Sequence, residues 1–121
     1  MKARPIETVS DGERALVRVP LGRSGKKFAE LWQDDWDFLL KLGASSNWNS
    51  VGDHGHVTVC ARGATGNHVA IARVLLDAGP GETVRYLDGN KFNLRRENLR
   101  LVSSGWACRR DRDYLKERAA A

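Results

Sequence analysis

Val84-Arg85-Tyr86-Leu87-Asp88-Gly89-Asn90, followed after two residues by Asn93-Leu94-Arg95-Arg96-Glu97-Asn98-Leu99-Arg100-Leu101-Val102, is the stretch on which the fold of this chain turns. Thr83 to Leu87 carries β-branched and aromatic residues, and Leu99 to Val102 mixes apolar and polar ones, so each reads as a strand. Between them, Asp88-Gly89-Asn90 holds residue types that hydrogen-bond their own backbone or accept a left-handed φ, a strong turn signal. The segment therefore reads as strand, loop, strand. Trp106 to Ala121, with helix formers and a dense basic face, closes it as a helix.

Working outward, Val69 to Leu76 is the longest apolar stretch, and Arg73 interrupts it. Ala72 to Ala78 is expected to be a short buried helix ended by Gly79-Pro80-Gly81. Before it, Trp48 to Val51, His56 to Arg62 and His68 to Ile71 are short Val- and Thr-containing runs punctuated by Gly and Asn, and predict a small antiparallel sheet. Trp32, Trp36, Leu39 and Leu40 fall at helical spacing, with Asp34 and Asp35 as candidate N-caps and Gly43 as the stop. Ala15 to Leu21, stopped at Pro20, and Phe28 to Leu31, across the basic turn Gly22 to Lys27, predict a hairpin. Residues 1–14 read as a flexible lead-in and 15–121 as a single domain. The class is α+β, with a core drawn from Trp36, Leu39, Leu40, Val74, Leu75, Leu87, Leu99 and Leu101.

At 121 residues and 13.5 kDa the chain is long enough to bury one core. Its formal net charge is +5, and the excess is local: residues 1–60 hold eight basic and eight acidic side chains, whereas 61–121 hold twelve and seven. A polyanionic partner is the reading this asymmetry favours. Cys60 and Cys108 lie far apart without a close Cys or His partner, which points to a reduced chain in the cytoplasm rather than a zinc site. No apolar run approaches the roughly 20 residues that cross a bilayer, and none follows Lys2 and Arg4 as a secretory signal requires. His54, His56 and His68 lack a carboxylate at matching spacing, so neither metal nor other cofactor is expected.

The run from Val84 to Arg100 closely resembles the core of HNH endonucleases of the phage and homing type. Lys27-Phe28-Ala29, Asp34 to Leu40, Trp48, Gly55-His56-Val57 and Arg73-Val74-Leu75 occupy the places of further family elements, so the resemblance covers most of residues 15–105. The upstream part also looks like the AP2 DNA-binding module. The resemblance implies a ββα hairpin and helix laid against a duplex, in a bacterial host or phage-infected cell.

That family carries Asp-His before the turn, the Asp as a metal ligand and the His as the base that activates water. Here these positions are Arg85 and Tyr86, a permanent cation and a phenol with an ordinary pKa of about 10. The family's orienting Asn falls on Leu94 and an upstream His on Ala72, while Asn98 matches a later metal-side Asn. Tyr86, Asp88, Asn90, Asn93 and Asn98 thus remain as a motif without its chemistry, and no catalytic residue is assigned.

Arg85, Lys91, Arg95, Arg96 and Arg100 on the expected hairpin, and Arg109, Arg110, Arg112 and Lys116 on the expected helix, are candidates for phosphate contact. Arg62, with His56, Thr58 and Asn67, offers a second surface on the small sheet, which AP2-like modules place in the major groove. The leading expectation is a double-stranded-DNA-binding protein that has lost nuclease catalysis, in the setting of a phage or mobile-element regulator. A protein-binding inhibitor or accessory factor acting on a host defence or DNA-binding complex is the alternative, and an active metal-dependent nuclease the third.

Overall fold

Eight strands and three helices form an α+β fold in the computed structural model, which describes residues 6–12, 14–22, 27–50, 56–61, 68–103 and 109–120. The strands are β1 (Glu7–Asp11), β2 (Arg14–Leu21), β3 (Lys27–Trp32), β4 (Ala44–Ser50), β5 (Val57–Ala61), β6 (Val69–Ala70), β7 (Glu82–Tyr86) and β8 (Leu99–Ser103). The helices are α1 (Gln33–Leu42), α2 (Ile71–Leu75) and α3 (Asp111–Ala120). Arg62, His54, Asn67, Trp106 and Cys108 lie outside the described residues.

β1, β2, β4, β5 and β6 follow one another across one sheet, and β3 pairs with β2. The β2–β3 hairpin runs from Leu16↔Trp32 to Leu21↔Lys27, continuing through Pro20 rather than stopping there. Among the described strands pairing is antiparallel except between β2 and β4, where Leu21 meets Trp48 in parallel. The expected small sheet of β4, β5 and β6 is antiparallel throughout, and the parallel joint lies where it meets the β2–β3 hairpin. A correction concerns the lead-in: Glu7 to Asp11 pairs residue for residue with Arg18 to Arg14. Thr8 and Val9 favour extended backbone, and the Asp11-Gly12 signal closes a hairpin instead of loosening the chain.

α1 follows β3 without a break. Trp32 ends the strand with extended backbone and is the N-cap, making no side-chain cap hydrogen bond. Asp34 and Asp35, expected as caps, lie inside the first turn, where negative charge suits the helix dipole. Gly43 ends the helix at φ 105°, its N–H bonding the carbonyls of Leu39 and Leu40. A side chain there meets a second obstacle, because a Cβ on Gly43 would lie 2.3 Å from the Cβ of Ala119 in α3.

The helices pack on one another and on the sheet, and Trp36, Leu39, Trp48, Val59, Ile71, Val74, Leu75 and Leu115 join the central apolar cluster. Trp36 and Trp48 meet with ring centroids 5.3 Å apart. Of the expected core, Trp36, Leu39, Val74, Leu75 and Leu99 are buried, while Leu40 packs at the edge and Leu101 is half-buried. Leu87 is corrected outright: it is 53% exposed, because β7 ends at Tyr86 and Leu87 already belongs to the turn.

β7 and β8 form a separate two-stranded sheet. Their connection, residues 87–98, is tied to the main sheet through β3: Glu30 N–H donates to Phe92 O at 2.9 Å, and Leu94 N–H to Glu30 O at 2.8 Å. Leu94 is thereby fully buried within the core. Among the described residues no helix is long and apolar enough to cross a membrane.

Candidate nucleic-acid interface

Asn98 organises the connection between β7 and β8. Its Oδ1 accepts from Asp88 N–H at 2.9 Å, its Nδ2 donates to Asn93 O at 2.9 Å, and its carbonyl accepts from Leu87 N–H at 2.8 Å. Asp88 in turn accepts from Asn90 N–H at 2.8 Å and Asn93 Nδ2 at 3.0 Å, and these hydrogen bonds, led by Asn93, hold its carboxyl below the usual range. Asn90 Oδ1 accepts from Phe92 N–H at 3.0 Å. The polar residues of the motif are therefore engaged in shaping a loop, and buried Asn98 has both its amide groups bonded within the chain.

Arg85 and Arg100 stand directly opposite each other in the β7–β8 ladder, and both are exposed. Like charges at such a pair of positions repel and destabilise a sheet. Among the described residues no ion pair or side-chain hydrogen bond neutralises either, nor Lys91 or Lys116.

The other expected phosphate contacts are placed differently. α2 is only five residues long, and the chain turns after it at Asp77, which takes a left-handed φ of 53°; Val74 O accepts there from Asp77 N–H at 3.2 Å. Arginines add further donors to the carbonyls of this turn. Arg112 Nη2 donates to Val74 O at 2.9 Å and Arg110 Nη1 to Asp77 O at 2.7 Å, both also near the Asp77 carboxylate. Arg109 Nη2 reaches His68 O at 2.8 Å and its guanidinium lies 3.9 Å from the Tyr114 ring centroid. Arg96 pairs with buried Asp35 at 3.1 Å. Arg95 donates to Asn93 Oδ1 at 3.1 Å and lies 3.8 Å from Glu30. These five, expected to face a duplex, direct donors to turns, helix ends and carboxylates of this chain, while Arg96, Arg109 and Arg110 keep part of their surface exposed. Thr58, expected on a contact surface, is buried between β4 and β6.

Arg73 is the residue that a reading of the sequence misses. Its Nε bonds Asp111 Oδ1 at 3.0 Å, Nη2 reaches Arg109 O at 2.8 Å, and Nη1 bonds the Glu82 carbonyl. Asp111 Oδ2 also accepts from Ala70 N–H at 3.2 Å. One buried pair thus ties α2, β6, β7 and the start of α3 together. The signal is present as a lone charge inside an apolar run, since such a charge is tolerated there only with a partner.

A groove of about 460 Å³ opens between these elements, lined by His56, Ala70, Ala72, Arg73, Thr83, Val84, Arg85, Tyr86, Gly89, Lys91 and Val102. It brings together Ala72, Arg85 and Tyr86, three positions at which the sequence departs from the pattern it resembles. Burial pushes the Tyr86 phenol up to about 12, so it stays protonated near neutral pH. Burial and the Lys91 ammonium hold the His56 imidazole below its ordinary pKa, against an opposing pull from Asp111. Leu94 is absent from this groove. Comparison with protein-family models, with curated proteins and with solved structures gives no match.

Proposed function

We propose that the protein binds nucleic acid, double-stranded DNA in particular, through the β7–β8 hairpin, and that it does so without cutting. The observation that carries this reading is the exposed Arg85–Arg100 pair, two like charges facing each other with no neutralising group among the described residues. Sheet stability gives no reason for the pair, whereas a phosphate backbone bridging two guanidiniums does. Lys91, on the connection, extends the same field.

The chemistry around Tyr86 argues for binding alone. A phenol held near 12 does not accept a proton from water at neutral pH. Arg85 places a cation where the resemblance calls for a carboxylate that ligates a metal, and Leu94, with no polar side-chain atom, is sealed in the core.

The test is a salt titration of binding to random duplex, single strand and RNA, beside a cleavage assay with magnesium and manganese. Duplex affinity is expected to fall linearly with salt on logarithmic axes, without strand scission. Binding that is absent or insensitive to salt would turn the reading towards a protein partner. Metal-dependent cleavage lost on a point change in the groove would overturn the non-catalytic part.

A further inference from the structure

The groove beside the hairpin has a charge balance that the duplex reading leaves unused. Arg73 lines it but is matched by buried Asp111. Among the described residues Arg85 and Lys91 are unmatched, and no carboxylate belongs to the lining. Two such cations suit one dianion. His56 and the Tyr86 hydroxyl add groups that can hydrogen-bond without adding charge, while Ala70, Ala72, Val84 and Val102 supply an apolar wall. The volume lies within the range of about 300–1,000 Å³ typical of small-molecule sites, well beyond what one phosphate fills.

We infer that this groove is a pocket for a single nucleotide bearing a phosphomonoester, with Arg85 and Lys91 on the phosphate and the apolar wall against sugar and base. The inference refines the nucleic-acid reading of the hairpin, on which it rests for the choice of a nucleotide over other phosphate esters. A free mononucleotide and the 5′-terminal nucleotide of a strand share this chemistry. Arg100 faces Arg85 across the ladder yet is not part of the lining, so the two surfaces meet at Arg85 and are separable by mutation.

The experiment titrates the full chain with 2′-deoxyadenosine 5′-monophosphate by calorimetry, with deoxyadenosine as the phosphate-free control. Saturable binding of the monophosphate alone is expected, weakened about tenfold by Arg85→Gln and by Lys91→Gln, as loss of a charge-assisted hydrogen bond implies. Arg100→Gln should leave it unchanged. Absence of binding at millimolar nucleotide, equal binding of deoxyadenosine, or indifference to both Arg85→Gln and Lys91→Gln would overturn the pocket. A circular duplex, which has no ends, separates the two readings: circle bound but monophosphate not bound removes the pocket and keeps the hairpin, and the reverse keeps the pocket and removes the hairpin. With the pocket supported, preference for a 5′-phosphorylated over a 5′-hydroxyl linear duplex assigns the ligand to strand ends, and equal affinity assigns it to free nucleotide.

Discussion

The arginines at the entry to α3 and those on the β7–β8 hairpin share one side chain and differ in what lies within its reach. Arg109, Arg110 and Arg112 stand beside the short α2 and the turn after it, and their guanidiniums bond the carbonyls of His68, Asp77, Val74 and Leu75. Arg85 and Arg100 stand opposite each other on a two-stranded ladder, and among the described residues neither guanidinium has a bonded acceptor. The basic residues of the second half are thus two populations, one bonded within the fold and one exposed without a bonded partner among the described residues.

The sharpest way to break this contrast is at the centre of the first population. Asp111→Ala strands Arg73 in a largely buried site and should cost about 3–5 kcal/mol in a denaturant melt, as breaking a buried pair does. A loss below about 1 kcal/mol would mean that the arginines at this end do not hold the fold. A smaller effect of the same kind is expected from Arg112→Gln, about 1 kcal/mol at a side chain 25% exposed, with the salt slope of duplex binding unchanged. A reduced slope would move Arg112 back to the interface.

The second population should behave in reverse. Arg85→Gln with Arg100→Gln should lower the salt slope by about 0.9 for each phosphate that the hairpin no longer neutralises. Stability should change by less than about 0.5 kcal/mol, or rise slightly as the cross-strand repulsion is relieved. Destabilisation with an unaltered slope would erase the distinction between the two sets.

Near neutral pH the smallest expected effect is at Tyr86, whose contribution changes only at high pH. Because its folded pKa of about 12 lies above the ordinary value of 10.0, the folded chain holds its proton more tightly than the unfolded chain. That contribution is complete below about pH 10 and is lost as pH rises through about 12. Tyr86→Phe should therefore flatten the fall in stability across that window and remove the high-pH component from a phenolate absorbance titration. An unchanged titration would place Tyr86 in water rather than in the groove wall.

Much of the architecture is legible in the sequence because it is written at short range. The helical spacing of Trp36 and Leu39, the stop at Gly43 and the Asp88-Gly89-Asn90 turn each depend on residues a few positions apart, as do the strands on either side of that turn. β1 escapes for a local reason of another kind: five residues with mixed polarity become a strand only when β2 offers its edge. Trp32 has a spacing that suits the helix, but the pairing with Leu16 holds it in β3.

By itself the sequence determined the α+β class, the location of the positive excess and the absence of Asp and His at positions 85 and 86. Only the tertiary structure decided which arginines are open. Arg73 finds Asp111 38 residues away and Arg96 finds Asp35 61 residues away, and the carbonyls that take Arg110 and Arg112 lie 33 and 38 residues away. A guanidinium's charge is fixed by its chemistry. Whether that charge meets a carboxylate, a backbone carbonyl or solvent is fixed by elements distant in sequence, and no local pattern records them.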